Sequence, residues 1–425
     1  MRILHTADLH LGQVIYQSYV RQDEHEAFFR QLGNWCEEYR PDVLVVSGDV
    51  FDMAQPGADV KKYFNQKMAE LIALCKGMKI VVTAGNHDSA SRLEADSVVW
   101  NMAGLTMVGH APTTDVGELP DGWQERFIVE VEEKGYVVAM PFMSNNRRDA
   151  IQSVLDKVAE RNEEGLPVVM MGHVAVSGGD FSGHGEIGMI KTQGLDEMGS
   201  GYDYLALGHI HRPQTLGYDI ADEKGDGESQ YQGPVARYSG SALHVSCDEK
   251  YPHTVSLVDI ERHGGEVKVK RLRIEELRHF YELPTTGEAA IKDRKELEET
   301  VNRFCETHER GYIRLRIDHG APLGENYVNW IYDTLKERTA DEVRYNPQVI
   351  WENEPQETAE KERPRLELAE IQGMISPWGF IEKTIDDYED FTLEELKADF
   401  QEISEAIRKV GETDPEEDKR AGKSE

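Results

Sequence analysis

Residues 43–52 read VLVVSGDVFD, in which four apolar residues are followed by a short glycine turn and two aspartates. An apolar run rich in valine is typical of a buried β-strand, and a glycine after it allows the chain to turn sharply. Four more segments repeat this arrangement and end in Asp, Asn or His: ILHTADLH at 3–10, IVVTAGNHD at 80–88, VVMMGH at 168–173 and YLALGHIH at 204–211. The chain is therefore predicted to be an α/β protein with polar side chains gathered at one edge of its sheets.

The polar residues at these strand ends are the types that bind divalent metals such as manganese, iron and zinc. A single Asp-x-His or Gly-His pair is commonly only a turn, so the inference depends on all five motifs occurring together. Seven residues are the candidate ligands: Asp8, His10, Asp49, Asn86, His173, His209 and His211. Side by side they would suffice for two metal ions that share one carboxylate, a site suited to phosphoester cleavage.

The order D-x-H, GD-x-x-D, GNHD, GH and GH-x-H resembles the calcineurin-like metallophosphoesterase superfamily over the first half of the chain. The flanking segments HTADLHLG, GDVFD, VVTAGNHDSASRL and YLALGHIHRPQ are similar to the SbcD family, the nuclease subunits of SbcCD DNA repair complexes. The resemblance implies a metallophosphoesterase α/β/β/α sandwich with a small α+β capping domain and a C-terminal helical segment that docks onto a partner protein.

The resemblance also implies a role for each site residue, with two divalent ions, preferably Mn2+, as cofactors. Three ligands would bind one ion, three the other and one would bridge them: Asp8, His10 and His211; Asn86, His173 and His209; and Asp49. His87 is expected to stabilise charge on the phosphate and to protonate the leaving oxygen, with Asp52 orienting its ring. Asp88 is expected to be structural.

The strong negative charge of the chain bears on how it could bind DNA. The net charge is −33, and residues 351–425 contribute 10 Lys or Arg against 23 Asp or Glu. Because phosphate-backbone binders are usually basic, we expect weak DNA binding without a partner; a generally acidic proteome is the alternative explanation. One dense basic cluster is a candidate for backbone contact, with a solvated strand face as the alternative: Lys268, Lys270, Arg271, Arg273 and Arg278.

Apolar periodicity and charge runs divide the chain into four predicted parts. They are residues 1–267, 268–350, 351–410 and 411–425, the last of which is expected to be a disordered tail. The resemblance implies that the first three are the metallophosphoesterase nuclease domain, the capping domain, and a linker with a helical ATPase-docking segment. Helices are expected near 23–39 and 60–74 in the first part. The capping domain reads strand, helix, strand, helix, strand.

Two sets of apolar residues are candidate interfaces. In the resembling family the C-terminal region grips the coiled coil of an SbcC-like ABC ATPase. The corresponding residues here are Trp378 and Phe380, in an apolar patch around a Pro-Trp-Gly turn, and a helical stripe that follows a capping box: Leu393, Leu396, Phe400 and Ile403. The family also forms a homodimer within a heterotetramer, for which the candidate contacts are Phe64, Met68, Leu93 and Val98. Packing within one chain is the alternative for both sets.

The motifs together with the resemblance imply a two-metal DNA nuclease, with exonuclease action on DNA ends and endonuclease action on hairpins and single strands, in repair, recombination and replication. The alternative is a metallophosphoesterase on small substrates such as cyclic nucleotides. A non-catalytic scaffold is disfavoured because all seven candidate ligands are present. The first strand starts at once, four cysteines are scattered, and no apolar run reaches about 18 residues. We therefore expect a cytoplasmic, nucleoid-associated protein that has no membrane span.

Overall fold

The computed structural model describes residues 1–16, 18–112, 120–144, 148–182, 192–218, 227–246, 249–307, 309–340, 342–353 and 397. The six candidate ATPase-docking residues and the predicted tail lie outside the described residues. Residues Met1–Glu352 form one compact unit.

The described strands and helices alternate along the chain. The strands are β1 (Arg2–Thr6), β2 (Val14–Ile15), β3 (Tyr19–Val20), β4 (Val43–Ser47), β5 (Lys79–Thr83), β6 (Leu105–Val108), β7 (Ile128–Val131), β8 (Gly135–Ala139), β9 (Val168–His173), β10 (Tyr204–Gly208), β11 (Gln214–Thr215), β12 (Glu228–Gln232), β13 (Val235–Tyr238), β14 (Thr254–Ile260), β15 (Glu266–Arg273), β16 (His279–Leu283), β17 (Gly311–Asp318) and β18 (Val343–Glu352). The helices are α1 (Gln22–Tyr39), α2 (Ala58–Leu74), α3 (Ala90–Leu93), α4 (Ser97–Met102), α5 (Arg148–Arg161), α6 (Arg294–Cys305) and α7 (Tyr327–Thr339). No helix among the described residues has both the length and the apolar character of a membrane span.

Two mixed sheets carry the five motifs. The first has the order β12-β15-β14-β1-β4-β5-β6, and its strands β1, β4, β5 and β6 run parallel. The second has the order β11-β13-β10-β9-β8-β7, with β13, β10, β9 and β8 parallel. Each motif lies at or just past the carboxyl end of β1, β4, β5, β9 or β10, so each sheet contributes part of the site.

The layers are helix, sheet, sheet and helix, as predicted. Successive strand residues point to opposite faces, so Ile3 packs in the core between the sheets while Leu4 packs against the helices. The core between the two sheets joins Ile3 to residues such as Val169 and Leu205 of the second sheet. Helices α1 and α2 cover the first sheet through Phe28, Phe64 and other residues of the second core, and α5 lies against the second sheet.

This packing corrects three of the four predicted dimer contacts. Phe64, Met68 and Leu93 are 2%, 0% and 3% exposed and belong to the core beneath α2. Their spacing on amphipathic helices therefore serves packing within the monomer. Val98 is different, because it is 77% exposed on α4 and lies beside Val99 and Met102, which are also exposed.

A third, smaller sheet follows with its own core. Strands β16, β17 and β18 are all parallel, and α6 and α7 bury residues such as Leu297 and Ile331 against them.

A buried ionic group around Glu24 of α1 connects this small sheet to the two-sheet sandwich. Glu24 accepts hydrogen bonds from the Tyr312 hydroxyl at 2.6 Å and from Arg344 at 3.3 Å, and it pairs with Arg21 at 2.7 Å.

The predicted domain boundary at 267/268 falls inside a strand. Strand β15 pairs with β14 without interruption from Val267 to Arg273, so the first sheet continues through Arg273. The sheet β16-β17-β18 begins only at His279. The boundary was misplaced because the last strand of one sheet and the first strand of the next sheet along the chain give the same apolar pattern.

Candidate metal centre

The strand-end loops bring the predicted ligands into two adjacent groups. The ligand atoms of Asp8, His10 and His211 lie within 4.8 Å of one another. Those of Asp49, His173 and His209 do the same. Residues that are far apart in sequence are thus gathered at one edge of the sandwich.

Asn86 completes the second group. Its side-chain oxygen lies 3.0 Å from Nε2 of His173 and 3.0 Å from Nδ1 of His209. An amide oxygen that faces two imidazole nitrogens at this distance is placed as one of three donors around a single cation.

Asp49 lies between the two groups. One of its carboxylate oxygens is 3.3 Å from Nε2 of His173 and 3.9 Å from Nε2 of His10. The other oxygen accepts the main-chain N–H of His87 at 2.9 Å. The geometry therefore offers one anionic group to both clusters.

Hydrogen bonds on the far side of two rings set their orientation. Nδ1 of His173 donates to the main-chain oxygen of Ser47 at 2.8 Å, and Nδ1 of His211 lies 2.9 Å from the Glu249 carboxylate. Because these oxygens only accept, Nδ1 donates a proton in each ring, and Nε2 is the nitrogen that faces the site.

The ligand loops adopt an uncommon backbone conformation. Asp8, His10 and Asp49 have φ values of 51°, 44° and 47°, in the left-handed region that residues other than glycine occupy uncommonly, although Asn, Asp and His do so more often than the rest. Such strain is held only where the surroundings enforce it, and it concentrates at functional sites.

The motif glycines make room for the rings. A Cβ at Gly48, which has φ +84°, would lie 2.1 Å from Nδ1 of His173. A Cβ at Gly208 would lie 1.9 Å from the Ser47 oxygen that orients the same ring. Both glycines are therefore part of the way the site is built.

Burial and mutual attraction shift the ligands' protonation. Burial raises the pKa of Asp8, whereas the imidazoles of His173 and His10 overcome burial and hold the pKa of Asp49 below its usual range. Burial disfavours charge on His173, yet Asp49 and Asp8 raise its pKa to about 9. Burial lowers the pKa of His211 to about 4. Asp8 and Asp49 thus favour a positive charge between them, and a metal ion would compete with the proton of His173 for this position.

The residues fit divalent metal ions. Nε2 of His10 is buried and has no hydrogen-bond partner among the described residues. A buried polar atom left in this way costs on the order of 1–3 kcal/mol, which coordination would remove. Carboxylate, amide oxygen and imidazole donors in this ratio suit manganese, iron or zinc.

His87 is placed beside the site, but not by the group we expected. Nδ1 of its ring donates to the main-chain oxygen of Asp52 at 3.0 Å. The Asp52 carboxylate lies instead 3.3 Å from Nδ1 of His10. Asp52 thus contacts the ring of His87, as expected, but through its main-chain oxygen, because the turn after β4 directs its side chain toward His10.

Asp88 has the structural role that was expected. Its carboxylate accepts the main-chain N–H groups of Val50 at 3.0 Å, Phe51 at 2.9 Å and Gly85 at 2.9 Å. One side chain thereby ties the loop that carries Asp49 to the loop that carries Asn86.

Two further supporting residues lie outside every motif and were missed. Nε2 of His25 on α1 bonds the main-chain oxygen of Leu9, between the ligands Asp8 and His10. Glu249 is the carboxylate behind His211. Neither has a spacing signal in the sequence, because each acts on a residue from a different segment.

Part of the predicted basic cluster is not at the surface. Arg271 is 6% exposed and donates to the Ser229 hydroxyl at 3.0 Å, and Arg278 is 5% exposed and pairs with Asp23 at 2.6 Å. The prediction that Arg271 contacts DNA was therefore wrong. Lys270 bonds the Tyr39 hydroxyl, Lys268 pairs with Glu266 at 3.6 Å, and Arg273 is exposed.

A centre with these donors at the strand ends of a two-sheet sandwich is that of a metal-dependent phosphoester hydrolase. The calcineurin-like phosphoesterase family matches residues 1–213, half of the chain, and the chain belongs to this family.

The curated relatives confirm the similarity to the SbcD family. The SbcD subunit of the nuclease SbcCD from Rhodobacter capsulatus is 29% identical over 327 residues, which cover 69% of this chain and 74% of the relative. The protein of the same name from Escherichia coli strain K12 is 30% identical over 284 residues, 60% of this chain and 65% of the relative. The solved structure of a dimetal phosphatase from Danio rerio aligns with a TM-score of 0.35 and 12% identity, over 65% of this chain and 99% of that one.

Proposed function

We propose that this chain is a two-metal DNA nuclease, an exonuclease on DNA ends and an endonuclease on hairpins and single strands. It would act in DNA repair, recombination and replication as the nuclease subunit of an SbcCD-like complex. The observation that carries the proposal is that the other six predicted ligands converge around Asp49. The curated relatives, which are nuclease subunits, support it.

Two Mn2+ ions are the proposed cofactors. Asp8, His10 and His211 would hold one, Asn86, His173 and His209 the other, and Asp49 would bridge them. Divalent ions bound there supply electrophilic assistance to the phosphoryl group and lower the pKa of a water molecule, which makes it a nucleophile.

The chain's own residues position and protonate the reactants. His87 is exposed beside the cluster, with Nδ1 committed to the Asp52 main chain, so Nε2 is the atom that would donate a proton to the leaving 3′ oxygen. The Asp52 carboxylate would act on metal binding through its contact with Nδ1 of His10. Asp88 keeps the loops of Asp49 and Asn86 in register, so that the acid and the ligands hold a fixed separation.

The proposed partners are DNA, an SbcC-like coiled-coil ABC ATPase and a second copy of this chain, with no membrane contact. The dimer surface would centre on Val98, Val99 and Met102, which are 77%, 70% and 88% exposed on α4. Apolar side chains exposed together in this way mark contact surfaces. The ATPase would bind the segment 351–410, and its grip on DNA would compensate for the net charge of −33. We propose a cytoplasmic, nucleoid-associated location.

The small sheet would act as the capping domain beside the cleft. Of the predicted DNA-contacting residues, Lys268, Lys270 and Arg273 keep some exposure and remain candidates for phosphate contact.

Cleavage assays separate this function from the small-substrate alternative. End-labelled duplex, hairpin and single-stranded DNA would be incubated with Mn2+, with and without the ATPase and ATP, beside a cyclic nucleotide. We expect DNA cleavage that the His87→Ala variant loses, and extended cleavage of duplex with the partner. Turnover of the cyclic nucleotide with no DNA cleavage under either condition would overturn the proposal.

A further inference from the structure

The carboxylate of Glu249 lies in the segment between β13 and β14, behind the ligand His211. Its side chain is completely buried, and it belongs to none of the motifs at the strand ends. Burying a carboxylate costs free energy unless hydrogen bonds or ion pairs satisfy both of its oxygens. The partners of Glu249 therefore indicate why it is buried behind His211.

Both oxygens of Glu249 are engaged. Oε1 lies 2.9 Å from Nδ1 of His211. Oε2 accepts the main-chain N–H of Val245 at 3.1 Å and lies 3.3 Å from Nε2 of His253. The Val245 bond fixes Oε2 as an acceptor, so the carboxylate cannot rotate without losing a hydrogen bond inside its own loop.

This fixed acceptor determines which nitrogen of His211 carries the proton. With Oε1 accepting from Nδ1, the proton stays on Nδ1, and Nε2 offers its lone pair toward Asp8 and His10. The opposite tautomer would place a hydrogen where a metal ion must bind. A partner behind a metal-bound histidine typically affects metal affinity by about 10- to 100-fold.

We propose that Glu249 is a positioning residue that sets the occupancy of one metal position only, the one formed by Asp8, His10 and His211. The proposal rests on the two-metal function proposed above. It predicts that loss of the Glu249 acceptor weakens that position and leaves the position of Asn86, His173 and His209 intact, because His173 takes its orientation from Ser47 instead.

Glu249→Gln is the informative substitution. An amide nitrogen at the place of Oε1 would donate to Nδ1 of His211 and leave the proton on Nε2. An amide nitrogen at the place of Oε2 would face the N–H of Val245, donor against donor. Either orientation penalises the tautomer that binds metal, although the side chain keeps its size.

Glu276→Gln is the matched control. Glu276 is a second largely buried carboxylate in contact with histidines, since it lies 3.4 Å from Nδ1 of His244 and 3.0 Å from Nδ1 of His279. It contacts none of the proposed ligands in the described structure. A general effect of losing a buried acid would appear equally in this variant.

The measurement is a Mn2+ titration of the full-length metal-free chain by isothermal calorimetry, with elemental analysis at saturation. The parent and Glu276→Gln should bind two ions. Glu249→Gln should keep one ion at parental affinity and bind the other about 10- to 100-fold more weakly. The double variant Glu249→Gln/His211→Ala should bind as His211→Ala does, since Glu249 acts through that ring.

The outcomes separate the two proposals. Two ions at unchanged affinity in Glu249→Gln would overturn the role of Glu249 and leave the two-metal site standing. An additive loss in the double variant, or equal weakening of both positions, would also overturn it. A parent chain that binds fewer than two ions would reject the two-metal function itself. If Glu249→Gln does not fold by circular dichroism, Glu249→Asp takes its place, and parental affinities in that variant overturn the proposal.

Discussion

Nδ1 of His87 lies 3.0 Å from the main-chain oxygen of Asp52, so the ring of the proposed acid is oriented by the backbone. Any residue at position 52 would supply the same oxygen. The side chains of Asp52 and His87 therefore belong to different parts of the site, since the hydrogen bond between the two residues uses the main-chain oxygen of Asp52.

This separation predicts different effects of two substitutions. His87→Ala should lower the rate of phosphodiester cleavage by about 10²- to 10⁴-fold at saturating Mn2+ while the metal content is retained. Asp52→Ala should leave His87 in place and act through His10, raising the Mn2+ concentration needed for half-maximal activity by about tenfold. Single-turnover cleavage over a range of Mn2+ concentrations measures both effects. Equal loss in the two variants at saturating Mn2+ would show that the Asp52 side chain orients His87 after all.

The glycine at position 48 offers a test of how tightly the site is packed. Gly48→Ala should destabilise the protein by more than the roughly 1–3 kcal/mol expected for an unfavourable φ alone, because the new Cβ would lie 2.1 Å from His173. Gly178→Ala is the control, since Gly178 has φ +90° and nothing within 4 Å of an added Cβ. Chemical denaturation of the metal-free variants compares them. Similar losses of unfolding free energy would mean that the His173 ring moves aside freely.

The exposed face of α4 predicts the oligomeric state. Met102→Glu should convert a dimer into a monomer, because a charge would be buried at the proposed contact. Sedimentation velocity of the full chain over a range of concentrations would detect the change. Leu195→Glu, at another exposed apolar residue, should sediment like the parent. A parent that is monomeric at all concentrations would contradict the dimer proposal.

Two buried histidines predict acid sensitivity. Burial lowers the pKa of His5 to about 3 and that of His25 to about 4, both below the ordinary value of 6.5. The unfolded chain therefore binds more protons than the folded chain between about pH 6.5 and those values, and stability falls as the pH drops through that window. Each histidine should cost about 2 kcal/mol on going from pH 7 to pH 5.

The variant His5→Asn should reduce this loss by about 2 kcal/mol, because asparagine does not titrate. Urea unfolding of the metal-free protein at pH 7 and pH 5 gives the difference directly. His319→Asn, at an exposed histidine, should change the loss little. An unchanged loss in His5→Asn would show that His5 does not remain neutral in the folded state.

The grouping of the predicted ligands could be anticipated from sequence because each of them lies at or just past the end of a strand with a clear apolar pattern. Asp49 after Val43–Ser47 is the clearest example, since the strand, the glycine and the carboxylate are contiguous. Parallel strands deliver such residues to a common edge, so local patterns sufficed to place the chemistry.

The supporting residues could not be predicted in this way. Glu249 lies 38 positions from His211 and meets it only because the segment after β13 folds back. Phe64 and Met68 repeat at helical spacing, but this spacing indicates an apolar face without indicating what covers it. Arg271 lies in a strand whose two faces could not be told apart before the neighbouring strands were known.

The buried tie at Glu24 limits how this protein can be divided. Glu24 is held by Arg21 from its own segment and by Tyr312 and Arg344 from the small sheet. A chain cut before β16 would leave an acidic group facing water where two hydrogen-bond donors had been, and would expose the rings that pack around Tyr312. The next residue of α1 is His25, which bonds the main-chain oxygen of Leu9 between two of the predicted ligands. The small sheet is therefore not an interchangeable accessory, and recombination that replaced it would have to replace residues of α1 as well.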